Sequence, residues 1–115
     1  YWNFKIMIIY NVTANIDESI HKEWLEWIKE HIPQVLGTGK FDKATLTRVL
    51  IEEETGGVTY SIQYRAYSRE ALDAYYKEDA QRLRADAQKR FADKMLAFRT
   101  ELELVDEYFV SISPN

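Results

Sequence analysis

Apolar residues alternate with others in four stretches of the chain and recur at helical spacing in two. From Phe4 to Ile16 the residues Ile6, Ile8, Tyr10, Val12, Ala14 and Ile16 share one side. A period of two predicts a strand. Asp17 or Ser19 can cap a helix that carries Ile20, Trp24, Trp27, Ile28, His31 and Ile32 on one face. Pro33 lacks an amide hydrogen, which predicts a break near His31 and a short extra turn through Leu36. Two runs rich in β-branched and aromatic residues follow, about Lys43 to Glu53 and Val58 to Tyr67, joined through Gly56-Gly57. That is a hairpin signature. Ser68 then caps a second helical pattern: Leu72, Tyr75, Tyr76, Ala80, Leu83, Ala87, Phe91 and Met95. A break near Glu78-Asp79 would let Asp79 cap a second segment. A last strand begins near Ala97.

The order β-α-β-β-α-β is the split βαβ plan of an α+β, ferredoxin-like fold. It predicts a four-stranded antiparallel sheet with two helices on one face, as a single domain over residues 1–115. The core side is expected to hold Ile8, Tyr10, Val12, Leu46, Leu50, Val58, Tyr60, Ile62, Tyr64, Leu102 and Leu104. The other side receives Asn11, Thr13, Thr45, Thr47, Val49, Thr59, Ser61, Gln63, Arg65, Glu101 and Glu103. Its centre is polar but almost uncharged. A solvated face explains that, and so does a face that meets a second copy and closes two sheets into a shared barrel. The first strand starts where the last one ends, so Trp2, Phe4 and Ile6 are expected to extend the ladder with Tyr108, Val110 and Ile112. Residues 1–6 make an unusual natural start, and Met7 can be the original initiator.

Composition narrows the function without choosing it. The net charge of −4 makes the protein a poor non-specific binder of nucleic acid or of an anionic membrane. The absence of cysteine excludes disulfides, thiolate catalysis and zinc–cysteine sites. No run approaches the ~20 apolar residues of a membrane span, and the apolar start is too short for a signal peptide. The expected address is the cytoplasm.

Four stretches together resemble a small bacterial family of unknown function. They are Met7-Ile8-Ile9-Tyr10-Asn11-Val12-Thr13, Trp24-Leu25-Glu26-Trp27, His31-Ile32-Pro33-Gln34-Val35-Leu36-Gly37-Thr38-Gly39 and Lys94-Met95-Leu96-Ala97-Phe98-Arg99-Thr100-Glu101-Leu102-Glu103. The resemblance spans about Met7 to Val105. At the level of fold it is similar to the dimeric α+β barrel group, which includes antibiotic-biosynthesis monooxygenases. It implies homodimerisation and carries no activity.

His31 is the leading candidate for chemistry. It lies seven residues after Trp24 and four after Trp27, on their helix face. There it can be a general base or a hydrogen-bond partner for a ligand, which burial would mark with a lowered pKa. It can equally be a helix C-terminal residue, where the dipole keeps the pKa at or above the ordinary value. Tyr10, Trp24, Tyr60, Tyr64, Tyr75 and Tyr76 can line a pocket for a planar ligand or simply fill a core. The basic residues Arg82, Arg84, Lys89, Arg90, Lys94 and Arg99 interleave with Asp79, Asp86 and Asp93, which predicts an ion-paired, solvated face. No metal-ligand spacing, phosphate loop or nucleophile elbow is present, so no cofactor is expected.

The leading reading is a homodimer that binds a small molecule, meeting its copy through Asn11, Thr13, Thr45, Thr47, Thr59, Ser61 and Gln63. One alternative is a cofactor-free, monooxygenase-like or isomerase-like enzyme acting on a small aromatic substrate through His31. The other is an interaction module with a filled core.

Overall fold

A computed structural model describes residues 6–50 and 56–111. The elements are β1 (Ile8–Ile16), α1 (His21–Leu36), β2 (Phe41–Arg48), β3 (Val58–Ala66), α2 (Arg69–Glu78), α3 (Ala80–Phe91) and β4 (Met95–Glu103). The strands lie in the order β2-β3-β1-β4, and every pairing is antiparallel. This is the ferredoxin-like α+β arrangement, with the helices packed on one face of the sheet.

Local chemistry sets the boundaries. The Asp17 carboxylate accepts a hydrogen bond from the Ser19 amide before α1, and the Ser68 hydroxyl accepts one from Ala71 at the start of α2. Gly57 has φ +85°, and a Cβ there would come within 2.9 Å of the Ile16 carbonyl oxygen. Only glycine suits that turn.

The structure corrects the sequence reading at several points. The first helix does not break at His31; α1 runs through Pro33 to Leu36. Proline costs about 3 kcal/mol inside a helix. Burial of Ile28 before it and Val35 after it holds both halves against the sheet and offsets that cost. The second helical pattern divides at the break anticipated near Glu78-Asp79, into α2 and α3, but the expected cap does not form. The Asp79 side chain makes no capping bond. Its carboxylate pairs instead with Lys40 at 3.3 Å and Arg82 at 3.2 Å.

The last strand is turned over relative to expectation. Tyr10 faces Glu101, Val12 faces Arg99, Ala14 faces Ala97 and Ile16 faces Met95. Met95, Ala97, Arg99 and Glu101 therefore lie on the helix side, while Leu96, Phe98, Thr100 and Leu102 lie on the open side. A shift of one residue moves every side chain to the other face. Here the packing of Met95 on Trp24 sets the parity. Glu101 is satisfied on the helix side by Arg69 at 2.7 Å and by the Tyr76 hydroxyl at 2.6 Å. Leu50, expected in the core, is 90% exposed beyond the end of β2. Glu53 and the rest of that strand's expected continuation past Leu50 lie outside the described residues.

The ladder between the first and last strands gains one further bond, from the Leu104 amide to the Met7 carbonyl at 3.0 Å. From Val105 to Ser111 the chain forms no strand, and Tyr108 and Val110 are almost fully exposed. The expected extension through those two residues does not occur. Trp2, Phe4 and Ile112 lie outside the described residues.

Candidate functional site

The buried side of the sheet and the three helices enclose a cavity of about 210 Å³. The two central strands supply its floor with Tyr10, Val12, Ile62 and Tyr64, and α1 supplies a wall with Trp24, Trp27 and His31. The rest comes from Tyr75 on α2, Arg84, Ala87 and Gln88 on α3, and Met95, Ala97 and Arg99 on β4. Small side chains at Ala14, Ala87 and Ala97 leave the space that larger ones would fill.

Of the five residues singled out in the sequence, Tyr10, Trp24, His31 and Tyr64 border this cavity. Tyr60 does not. It packs under Trp24, with ring centres 5.0 Å apart, and shares a 2.7 Å hydrogen bond with His21. Among the further aromatic candidates, Tyr75 borders the cavity. Tyr76 belongs to a neighbouring surface depression together with Arg84, Gln88 and Arg99. Those last three residues thus border the cavity and the outer surface alike, and mark the mouth.

His31 stacks on Trp27, with ring centres 4.4 Å apart and planes 20° from parallel. Because α1 continues for five residues past it, it is not a helix C-terminal cap. No hydrogen bond to its imidazole occurs among the described residues. Burial without a partner lowers its pKa to about 4, opposed only in part by the nearby Asp86 carboxylate. The imidazole is therefore neutral at pH 7. Asp86 accepts a 2.7 Å hydrogen bond from the Trp27 indole, which holds its own pKa below the usual range, and lies 3.5 Å from Arg90. The Trp24 indole donates to the Met95 sulfur at 3.1 Å.

Tyr64 and Tyr75 are held protonated. Burial raises the pKa of Tyr64 well above its ordinary value and that of Tyr75 to about 12. Tyr10 stacks on Tyr64 at 5.9 Å, and its hydroxyl oxygen accepts from the Arg84 guanidinium at 2.6 Å and the Arg99 guanidinium at 3.0 Å. These two arginines are what the sequence reading missed, having assigned them to an ion-paired surface. Neither forms an ion pair among the described residues. The signal was present: Arg84 stands one residue after Leu83 and three before Ala87, inside the stripe that faces the core. Arg99 has the strand parity of Met95 and Ala97.

On the opposite side of the sheet, Asn11, Thr13, Thr45, Thr47, Thr59, Ser61 and Gln63 do share one face, whereas Glu101 and Glu103, also expected there, stand opposite Tyr10 and Ile8 on the helix side. The Ser61 hydroxyl donates to the Asn11 side chain at 2.7 Å, Asn11 donates to Thr13 at 3.1 Å, and Asn15 donates to Thr59 at 3.1 Å. The Thr47 hydroxyl bonds the Ser61 carbonyl at 3.1 Å. Beside this satisfied polar centre run Leu96, Phe98 and Leu102, which are 58%, 60% and 40% exposed.

No group of three or more metal-ligating side chains occurs among the described residues. No helix there is long and apolar enough to cross a membrane.

Residues 7–105 match the model of a family described as a domain of unknown function, DUF4286. None of the curated proteins matches the chain in sequence. Solved structures share the fold at low identity. A dimeric ferredoxin-like protein from an uncultured marine organism is 11% identical, with a TM-score of 0.63 over 90% of this chain and 100% of that one. A conserved protein of unknown function from Bacteroides thetaiotaomicron VPI-5482, a candidate oxidoreductase, is 18% identical, with a TM-score of 0.64 over 87% and 99%. A candidate antibiotic biosynthesis monooxygenase from Nitrosomonas europaea is 11% identical, with a TM-score of 0.61 over 90% and 92%.

Proposed function

The chain belongs to the DUF4286 family, and from that premise we propose that it is a homodimeric small-molecule-binding protein whose ligand occupies the cavity between sheet and helices. The observation that carries the reading is the composition of the cavity wall. It is mainly aromatic and aliphatic, with His31, Arg84, Gln88 and Arg99 as polar groups, and His31 has no hydrogen-bond partner among the described residues. Binding pockets combine an apolar lining with a few polar groups in this way. The volume is small beside the roughly 300–1,000 Å³ of drug-sized sites, which favours a ligand with one ring. Tryptophan fluorescence tests it, since Trp24 and Trp27 form a wall. A panel of single-ring compounds should include one that changes the emission saturably, and Ala97→Phe, which fills the space, should abolish that change. A panel without effect, or an unaltered response in Ala97→Phe, refutes the reading.

The dimer rests on the open face of the sheet. Its centre satisfies its own hydrogen bonds and carries little charge, and Leu96, Phe98 and Leu102 are left to solvent in the single chain. A second copy would remove that apolar area from water. The marine ferredoxin-like protein of the same fold is dimeric, which supports self-association here. Light scattering at micromolar concentration should give twice the chain mass.

A second reading is favoured by His31 alone. A neutral imidazole beside the cavity, with no hydrogen-bond partner among the described residues, can accept a proton from a bound compound, as a cofactor-free enzyme requires. If the protein is such an enzyme, a compound that binds should be converted, and His31→Phe should bind it without conversion. Unchanged ligand after long incubation leaves the binding reading alone.

A further inference from the structure

From the mouth of the cavity we infer that the ligand is an aromatic carboxylate, its ring against the Trp24–Trp27 wall and its carboxylate held by Arg84, Arg99 and Tyr10. The inference rests on the proposed binding function and names the class of ligand. Two guanidinium groups converge on one phenol oxygen, at 2.6 and 3.0 Å. Neither forms an ion pair among the described residues, and both border the cavity. Nε of Arg84 is enclosed and has no acceptor among the described residues. Such a donor needs a partner, because an unsatisfied buried group costs free energy.

The nearby carboxylates are committed elsewhere. Glu101, two residues from Arg99 on the same strand face, is held by Arg69 and Tyr76. Asp79 serves Lys40 and Arg82, and Asp86 serves Trp27 and Arg90. Positive charge at the mouth is thus left without a counter-charge from the described residues. Guanidinium forks match a planar carboxylate in geometry as well as charge. The remaining wall is apolar and suits the ring.

Benzoate is the probe, benzamide its uncharged counterpart, and phenyl phosphate the same ring with the other common oxyanion. Isothermal titration should show benzoate binding at least tenfold more tightly than benzamide and no more weakly than phenyl phosphate. Raising potassium chloride from 20 to 500 mM should weaken benzoate severalfold and leave benzamide unchanged. Arg84→Gln and Arg99→Gln should each weaken benzoate about tenfold or more. Arg82→Gln, which alters an exposed ion pair with Asp79, should not. Equal affinity for benzoate and benzamide, or tighter phenyl phosphate, overturns the carboxylate while leaving cavity binding intact. So does benzoate binding that neither salt nor the Arg84→Gln and Arg99→Gln changes weaken. Absence of binding by all three compounds overturns this inference; the cavity reading falls on its own tests, silence across the broad fluorescence panel or an unaltered response in Ala97→Phe.

Discussion

Acidification from pH 7 to pH 4 should destabilise the protein through His31, in a window separate from that of its carboxylates. The imidazole is enclosed between Trp27 and the cavity, with no hydrogen-bond partner among the described residues. Its pKa in the folded chain is about 4, against an ordinary value of about 6.5. The unfolded chain therefore takes up a proton near pH 6.5 while the folded chain remains neutral. Stability is complete above that point, falls as the pH drops from about 6.5 to 4, and changes no further through this group below 4. At 1.36 kcal/mol per pH unit the loss is roughly 3 kcal/mol, a large share of a small domain's stability. Glu101 acts in the same sense but lower down. Arg69 and Tyr76 hold its pKa at about 2, so its contribution is present above the ordinary carboxylate range and is lost only as the pH falls toward 2. Urea unfolding at pH 7, 6, 5 and 4 should show the unmodified protein losing roughly 3 kcal/mol more than His31→Phe, which keeps a ring against Trp27. Parallel pH profiles for the two proteins would refute the account, as would an NMR titration placing the His31 pKa at or above 6.5.

Two further outcomes follow. Trp24 is 1% exposed and packs against Tyr60 and Met95, so Trp24→Ala should cost about 3–5 kcal/mol in urea unfolding; a loss under 1 kcal/mol would contradict its place in the core. Phe98→Arg sets an unpaired charge in the middle of the proposed interface and should halve the mass seen by light scattering without lowering monomer stability by more than about 1 kcal/mol. A dimer that survives the change would move the interface away from the open face.

Much of the fold was legible because local signals agreed with tertiary structure. The alternation in Ile8–Ile16, the Gly56-Gly57 turn and the Ser68 cap each point to the same arrangement. Two features were not legible, for different reasons. In β4 the alternation of Leu102 with Glu101 reads as apolar inside and acid outside. Neither the tie between Glu101 and Arg69 nor the packing of Met95 on Trp24 is local, and together they reverse the parity. Pro33 reads as a helix stop because the cost of a missing amide is local, while the burial that offsets it comes from the sheet. The site was legible in part. Helical spacing placed His31 beside Trp24 and Trp27, and Tyr10 and Tyr64 fell on the buried face by strand parity. The pairing of Arg84 with Tyr10 spans 74 residues, and no short-range pattern in the sequence announces it.

The most direct test of the central claim is the position of the indole N–H resonances of Trp24 and Trp27 in a ¹⁵N-labelled sample, titrated with single-ring compounds. Both tryptophans line the cavity, one indole bonded to Met95 and the other to Asp86. If a small molecule occupies the cavity, both resonances should move saturably, together with residues around Ala87 and Ala97, while residues on the open face stay in place. Binding that shifts only surface resonances and leaves both indoles unmoved at saturation would contradict the account.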